Sequence, residues 1–202
     1  MKLSQSISKR DQIIQAAAQL VHMKGFHRTS VDDILVASEA GKGQFYHYFR
    51  SKDEVGLAIV DRAAAHIHST LLERLADEQG LEAIDWMLDC LIKTARQTQC
   101  EGGCPLGNLA AEMSDHHEEF RVKLARIFEA WRHVVERTIS AAQRRGEIVP
   151  DVDAEDVAFL VLSTIEGGIL LAKVDHDVRV MERSFEGLKR CLRRLERTTF
   201  HG

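Results

Sequence analysis

Proline occurs only twice in the 202 residues of this chain, at positions 105 and 150. Because proline interrupts helices, a chain with so few prolines can form long ones. Apolar residues recur every three to four positions along most of the sequence, which is the spacing of one helix face. Long β-branched runs, which favour strands, are few. We therefore predict an all-α protein of about nine helices and no β-sandwich.

The first fifty residues predict three short helices. The first ends at Gly25, a suitable C-cap, and the second begins after Ser30, whose hydroxyl suits an N-cap. A tight turn around Gly41 precedes the third, over residues 42–49. Two short helices joined by a tight turn form a helix-turn-helix pattern. We assign residues 1–52 to this domain.

The net charge of −4 hides two unlike regions. Residues 1–52 hold eight Lys or Arg against four Asp or Glu, whereas the remaining residues hold 19 against 27. A basic segment beside an acidic one is typical of a segment that meets a polyanion. On charge alone, chance clustering explains the difference equally well.

The third predicted helix has an inward and an outward face. At about 100° per residue, Phe45, Tyr48 and Phe49 share one face and should pack inward. The outward face holds no acid, and it consists of Gly43, Gln44, Tyr46 and His47.

The outward residue types suit double-stranded DNA. Gly43 lets a phosphate approach the backbone, where the free amides of a helix N-terminus favour an anion. Gln44 matches an adenine edge, and the tyrosine and histidine beside it can bond phosphate or base edges. Three cations suited to neutralising phosphates lie at or near helix starts: Arg28, Lys42 and Lys52.

Two segments resemble the DNA-binding domain of TetR-family repressors: TSVDDI at 29–34 and GKGQFYHYFRSK at 41–52. The resemblance covers about residues 8–68. It implies DNA contacts at Thr29 and Ser30, and a nine-helix homodimer that represses transcription from a palindromic operator. It also implies that a small effector releases the DNA by tilting the fourth helix. The turn departs from the family's frequent Ala-Gly-Val-Ser and places Glu39 near the DNA side.

Residues 53–202 then form the effector-binding and dimerisation domain, with the fourth helix, about residues 52–75, as the connector. The eighth predicted helix, about residues 154–174, contains a run at 157–162 that is apolar on more than one face. A helix apolar all round must be buried on two sides. The second side of this helix is buried either by another subunit or by the core of the same chain. We predict a homodimer through helices eight and nine, with the core helix as the alternative.

The segment around Cys104 predicts an effector site. Cys104 precedes the sixth predicted helix, where helix amides favour a thiolate. The segment resembles a branch of TetR-like repressors that respond to electrophiles such as N-ethylmaleimide, in which a lysine of helix eight aligns with Lys173. The alternatives are an inert cysteine and a Lys173 that snorkels or pairs with an acid at the dimer interface. Candidate linings of an apolar pocket are Met87, Phe128 and Trp131.

Other chemistry is not expected. Cys100 and Cys104 allow a disulfide or, with His116 or His117, a metal site, but the spacing matches no standard zinc pattern. No phosphate loop, carboxylate pair or nucleophile motif predicts an enzyme or a cofactor. A helical interaction module and a small all-α enzyme remain the alternative functions. Without a visible secretory signal or an apolar run near the roughly 20 residues of a membrane span, we expect a cytoplasmic protein with no membrane partner.

Overall fold

The computed structural model describes residues 7–77 and 80–196. Within these ranges every regular element is a helix, and one isolated bridge joins Ile148 and Glu196. The fourth helix runs as Lys52–Ile67, a π-helical turn His68–Leu72, and Glu73–Asp77, and is counted here as one element, α4. The described helices then number nine, which confirms the all-α prediction. The others are α1 Lys9–Lys24, α2 Val31–Ser38, α3 Lys42–Tyr48, α5 Leu81–Gln97, α6 Pro105–Met113, α7 Glu118–Arg144, α8 Ala154–Asp175 and α9 Val178–Arg193.

Local capping sets the ends of the first helices, as the sequence predicts. Gly25 ends α1 at φ 88° and donates its N–H to the carbonyl of Val21. Ser30 begins α2 in a capping box, in which its hydroxyl accepts from the amide of Asp33. The Lys24 ammonium, 2.8 Å from Asp33, and Ser30 together hold the pKa of the Asp33 carboxyl below its usual range. These bonds fix the angle between α1 and α2.

Packing divides the described residues into two compact units. The head unit consists of residues up to 65 together with residues 105–124, and the body unit of residues 66–104 and 125 onward. Helix α6 and the first turns of α7 therefore pack with the helix-turn-helix elements. Sequence alone had assigned both of them to residues 53–202.

The head unit is centred on Phe26, in the loop between α1 and α2. The Phe26 ring lies 5.4 Å from that of Phe120, and a Cβ on Gly56 would come within 2.5 Å of one ring and 2.6 Å of the other. Glu112 of α6 accepts from the backbone amides of Phe26 and His27 at 2.8 and 2.7 Å. These contacts hold α4 and α6 against the loop.

The body unit is built around α8 and α9. Gly168 of α8 lies so close to Phe185 of α9 that a Cβ would meet the ring at 2.8 Å. The buried stripe of α9 includes Met181, Phe185, Leu188 and Leu192. Lys189 of the same helix is buried but donates to Asp89 at 2.7 Å, so its charge is compensated.

Candidate functional site

The turn before α3 sets the direction of that helix. Glu39 caps α2 in the left-handed conformation at φ 50°. The Lys9 ammonium donates to the carbonyls of Ser38 and Glu39 at 3.3 and 3.2 Å. Beneath α3, Phe45 and Phe49 are buried with their rings 5.8 Å apart. The turn and this aromatic pair hold α3 on the head unit.

The outward edge of α3 lies at the surface. Gly43, Gln44, Tyr46 and His47 are all exposed, and the Tyr46 side chain has 56% of its area accessible. A Cβ placed on Gly43 meets no atom within 4 Å, so the protein itself does not require glycine there. The edge is open to an external ligand.

The prediction that Tyr48 packs inward is wrong. Tyr48 is 39% exposed, and its ring stands edge-on to His47 at 4.8 Å. The helix ends at Tyr48, and Phe49 follows in an extended conformation at φ −138°. Because Phe49 fills the space beside Phe45, the tyrosine stays at the edge of α3.

Gln44 has a local role that its spacing does not reveal. Its side-chain oxygen accepts from the amide of Gly41 at 3.1 Å and so caps α3. Bidentate pairing with adenine uses both the oxygen and the nitrogen of the amide. The cap occupies one of the two acceptor positions of this oxygen, so the predicted adenine contact has to share the oxygen with the Gly41 amide.

The three predicted phosphate-binding cations differ in their surroundings. Arg28 is exposed, and the largely exposed Lys42 ammonium lies 3.9 Å from Asp32. Lys52 instead donates to the carbonyl of Phe26 at 3.1 Å and stands 4.4 Å from the centre of its ring. Lys52 therefore also holds α4 against the loop after α1.

The family resemblance implies DNA contacts at Thr29 and Ser30, just before α2, and these two residues differ in exposure. Thr29 is fully buried and its hydroxyl donates to the carbonyl of Gly25 at 2.8 Å. Its side chain is therefore a structural part of the loop, which corrects the expectation of a DNA contact. Ser30 is exposed, and its hydroxyl donates to the carboxylate of Asp33 and accepts from the amide of the same residue.

The body unit contains a cavity lined by α4, α5, α7, α8 and the segment before α6. About 70 Å³ of it is open to the centres of water-sized molecules. Met87, Cys104 and Trp131 line it, as predicted. Phe128 and Lys173 are not among the described lining residues: Phe128 stacks edge-on against Trp131 at 5.4 Å, and Lys173 lies in the last turn of α8.

Sequence reasoning missed Glu166, which also lines this cavity. Its carboxylate accepts a hydrogen bond from the Cys104 thiol, and burial raises the pKa of Glu166 above its usual value despite that bond. A sequence signal was present, because Glu166 is the sole charged residue between positions 157 and 172. An acid inside so apolar a stretch is costly to bury without a partner.

The remaining cysteines show no comparable setting. Burial raises the pKa of the Cys90 and Cys100 thiols, and Cys191 is exposed. The structure contains no disulfide among the four cysteines, all of which it describes, so a bridge between Cys100 and Cys104 is not formed. Within residues 7–77 and 80–196, no group of three His, Cys, Asp or Glu is placed to hold a metal.

Helix α8 carries a second apolar face at the surface. Its buried face includes Val161 and Ile165, whereas five large apolar side chains are each about half exposed or more: Phe159, Leu160, Leu170, Leu171 and Val174. By length and composition alone, α8 is also the one described helix apolar enough to cross a membrane. One face of α8 packs on α9, and the other lies at the surface.

Comparisons with known proteins agree with this geometry. Residues 13–59 match the family of bacterial regulatory proteins of the TetR type, and residues 80–188 match a tetracyclin repressor-like C-terminal domain. An uncharacterized HTH-type transcriptional regulator from Lactococcus lactis is 35% identical over 89% of this chain and 91% of its own. The HTH-type transcriptional repressor NemR of Escherichia coli is 34% identical over 55% of this chain and 57% of its own.

A solved structure supports the same assignment. A TetR transcriptional regulator from Chloroflexus aurantiacus superposes with a TM-score of 0.84 at 28% identity, covering 94% of this chain and 96% of that one. Both halves of the chain thus match one family, whose members are regulators and not enzymes. The chain belongs to the TetR family of DNA-binding transcriptional regulators.

Proposed function

We propose that this protein is a homodimeric repressor that binds a palindromic operator and leaves it when a small effector enters the body cavity or modifies Cys104. The observation that carries the proposal is the exposed, acid-free edge of α3, held on the buried pair Phe45 and Phe49. Its site of action is the cytoplasm.

The head unit supplies both kinds of DNA contact. Arg28 and Lys42 are exposed cations for phosphates, while Tyr46 and His47 project from the middle of α3 toward base edges. Ser30 and the open backbone at Gly43 add neutral contacts at two helix starts. Glu39 and Asp32 are exposed nearby, and their charge reduces the attraction of this face for DNA.

The exposed apolar face of α8 supports dimerisation through α8 and α9. Leu170, Leu171 and Val174 are exposed on a helix whose other face is already buried in its own unit, which favours a second subunit over the core-helix alternative. Large exposed apolar patches mark interaction sites. A dimer of this kind gives two heads, whose α3 helices must lie about 34–36 Å apart, or a multiple of it, to enter successive major grooves.

The cavity lining supports effector control. Ile67, Leu71 and Leu72 come from the end of α4 and its π turn, so a bound molecule contacts the helix that continues from the head. Lys173 neighbours the exposed Leu171 and Val174 in α8, which supports a position at the proposed dimer interface. Cys104 reaches the cavity directly.

A gel-shift series on the DNA upstream of the gene tests the repressor proposal. The logarithm of the affinity is expected to fall steeply with the logarithm of salt concentration. Tyr46→Ala should weaken binding, whereas the matched variant Met23→Ala, at another exposed apolar residue of the head, should not. Absence of binding at low salt would instead favour a helical interaction module.

The role of Cys104 is tested with the same DNA. N-ethylmaleimide should release the wild-type protein and leave Cys104→Ser bound. Equal release from both proteins would assign control to a reversible ligand of the cavity.

A further inference from the structure

Two chemically reactive side chains meet in the body cavity. The Cys104 thiol donates its hydrogen bond to the Glu166 carboxylate, and both side chains line the same space. The other lining residues, such as Leu71, Ile165 and Ile169, are aliphatic, aromatic or thioether side chains. A nucleophile and a proton acceptor thus face one apolar chamber.

The position of Glu166 suits a proton acceptor. It lies inside α8 next to Ile165 and is partly buried, and burial is the main cause that raises its pKa. A carboxylate with a raised pKa is a stronger base, and proton transfer is most efficient when the base titrates near the working pH. The hydrogen bond already places the thiol proton on the path to the carboxylate.

We propose that Glu166 takes the proton of Cys104 and so activates the thiol for addition to a small, uncharged molecule with an electron-poor carbon–carbon double bond. The proposal rests on the proposed function, in which Cys104 is a site of effector modification. The new bond joins the Cys104 sulfur to one alkene carbon, and the alkene π bond breaks. The thiol proton passes to Glu166 and from there to the second carbon, so that the product is a thioether. No electrons are lost or gained overall, and no further reactant is consumed.

The cavity limits the size and charge of this molecule. The space open to the centres of water-sized molecules is about 70 Å³, which suits a compact ligand. Burying an anion among aliphatic side chains beside a carboxylate is strongly unfavourable. Both considerations favour a neutral electrophile over an acidic one.

The test is the alkylation rate of each cysteine, measured by peptide mass spectrometry with N-methylmaleimide. The exposed Cys191 serves as an internal reference in every sample. At pH 6.5, Cys104 of the wild type should react at least about tenfold faster than Cys191, because general-base assistance contributes factors of this size or more. N-carboxymethylmaleimide, which carries a negative charge, should lose this preference for Cys104.

Glu166→Gln is expected to slow Cys104 about tenfold or more while Cys191 keeps its rate. In Glu166→Gln, the alkylation rate of Cys104 should climb with pH in proportion to the ionised thiol. In the wild type, the rate of Cys104 should level off once Glu166 is ionised. Glu166→Asp keeps the carboxyl group and should retain the levelling at a lower rate, which a merely structural role would not produce. Glu155→Gln, the same change at an exposed site of α8, is the matched control.

An unchanged Cys104 rate and pH profile in Glu166→Gln would overturn the proposal. Gel shifts run on the same samples separate it from the proposed function. If Cys104 reacts in a Glu166-dependent manner but the DNA stays bound, the release mechanism fails and the chemistry stands. If the DNA is released equally fast from the wild type and Glu166→Gln, the role of Glu166 fails and the release mechanism stands.

Discussion

Replacing Glu112 by alanine should loosen the loop between α1 and α2. Glu112 accepts from two backbone amides, those of Phe26 and His27, at 2.8 and 2.7 Å. Its side chain is 27% exposed, so the pair of bonds is only partly open to water. Alanine removes both acceptors at once and leaves the amide of the buried Phe26 without a partner.

The expected loss follows from these two bonds. A hydrogen bond to a charged group contributes about 1.5–3 kcal/mol. The His27 amide lies on an exposed residue and regains water, whereas Phe26 is buried and its amide does not. We therefore expect the variant to lose about 2–3 kcal/mol, mainly through the Phe26 amide.

Urea unfolding and hydrogen exchange measure this loss together. The urea midpoint should fall without a change in slope, and the exchange of the Phe26 and His27 amides should accelerate because the loop opens locally. Glu119→Ala, at an exposed acid of α7 in the same unit, is the control. If the two variants lose equal stability and exchange alike, the bonds of Glu112 do not hold the loop.

Four shorter predictions concern other sites. Gly56→Ala forces a Cβ into two phenylalanine rings and should cost about 1–3 kcal/mol in thermal unfolding. Gly43→Ala meets no atom and should gain up to about 1 kcal/mol from helix propensity, yet weaken DNA binding in gel shifts. The pKa of Asp33 is lowered in the folded protein, so its contribution to stability is present above about pH 4 and is lost as the pH falls further. Between pH 6 and pH 3, the melting temperature of Asp33→Asn should therefore change less with pH than that of the wild type. Leu171→Glu should yield a folded monomer by sedimentation, and a persistent dimer would place the interface elsewhere.

Local features of the head could be predicted from the sequence because short-range bonds determine them. The Ser30 cap and the Gly25 C-cap each depend on residues within four positions. The outward edge of α3 follows from helical period and the two buried phenylalanines. Tyr48 departs from this rule: α3 ends at Tyr48, and the extended Phe49 that follows is buried in its place.

Contacts distant in sequence could not be predicted in this way. Glu112 binds amides 85 and 86 positions away, and no periodicity relates α6 to the first loop. The helix start at Lys52 predicts a phosphate contact, but its bond to the Phe26 carbonyl spans 26 positions and has no local signal in the sequence. The same limit explains why the sequence did not predict the packing of α6 with the helix-turn-helix elements.

The cavity brings Cys104 and Glu166 together, whereas the family resemblance pairs the thiol with Lys173 of the same helix. Glu166 and Lys173 are seven residues apart, so they lie on nearly the same stripe of α8 but about 10 Å apart along its axis. The Cys104 thiol binds Glu166 and is therefore placed near the level of the carboxyl group. A lysine at position 173 stabilises a thiolate by its charge, whereas a carboxylate at 166 acts by removing the proton. Acid slows the reaction of Cys104 in both arrangements, but only in the second does the rate follow the ionisation of Glu166, a dependence that Glu166→Gln removes.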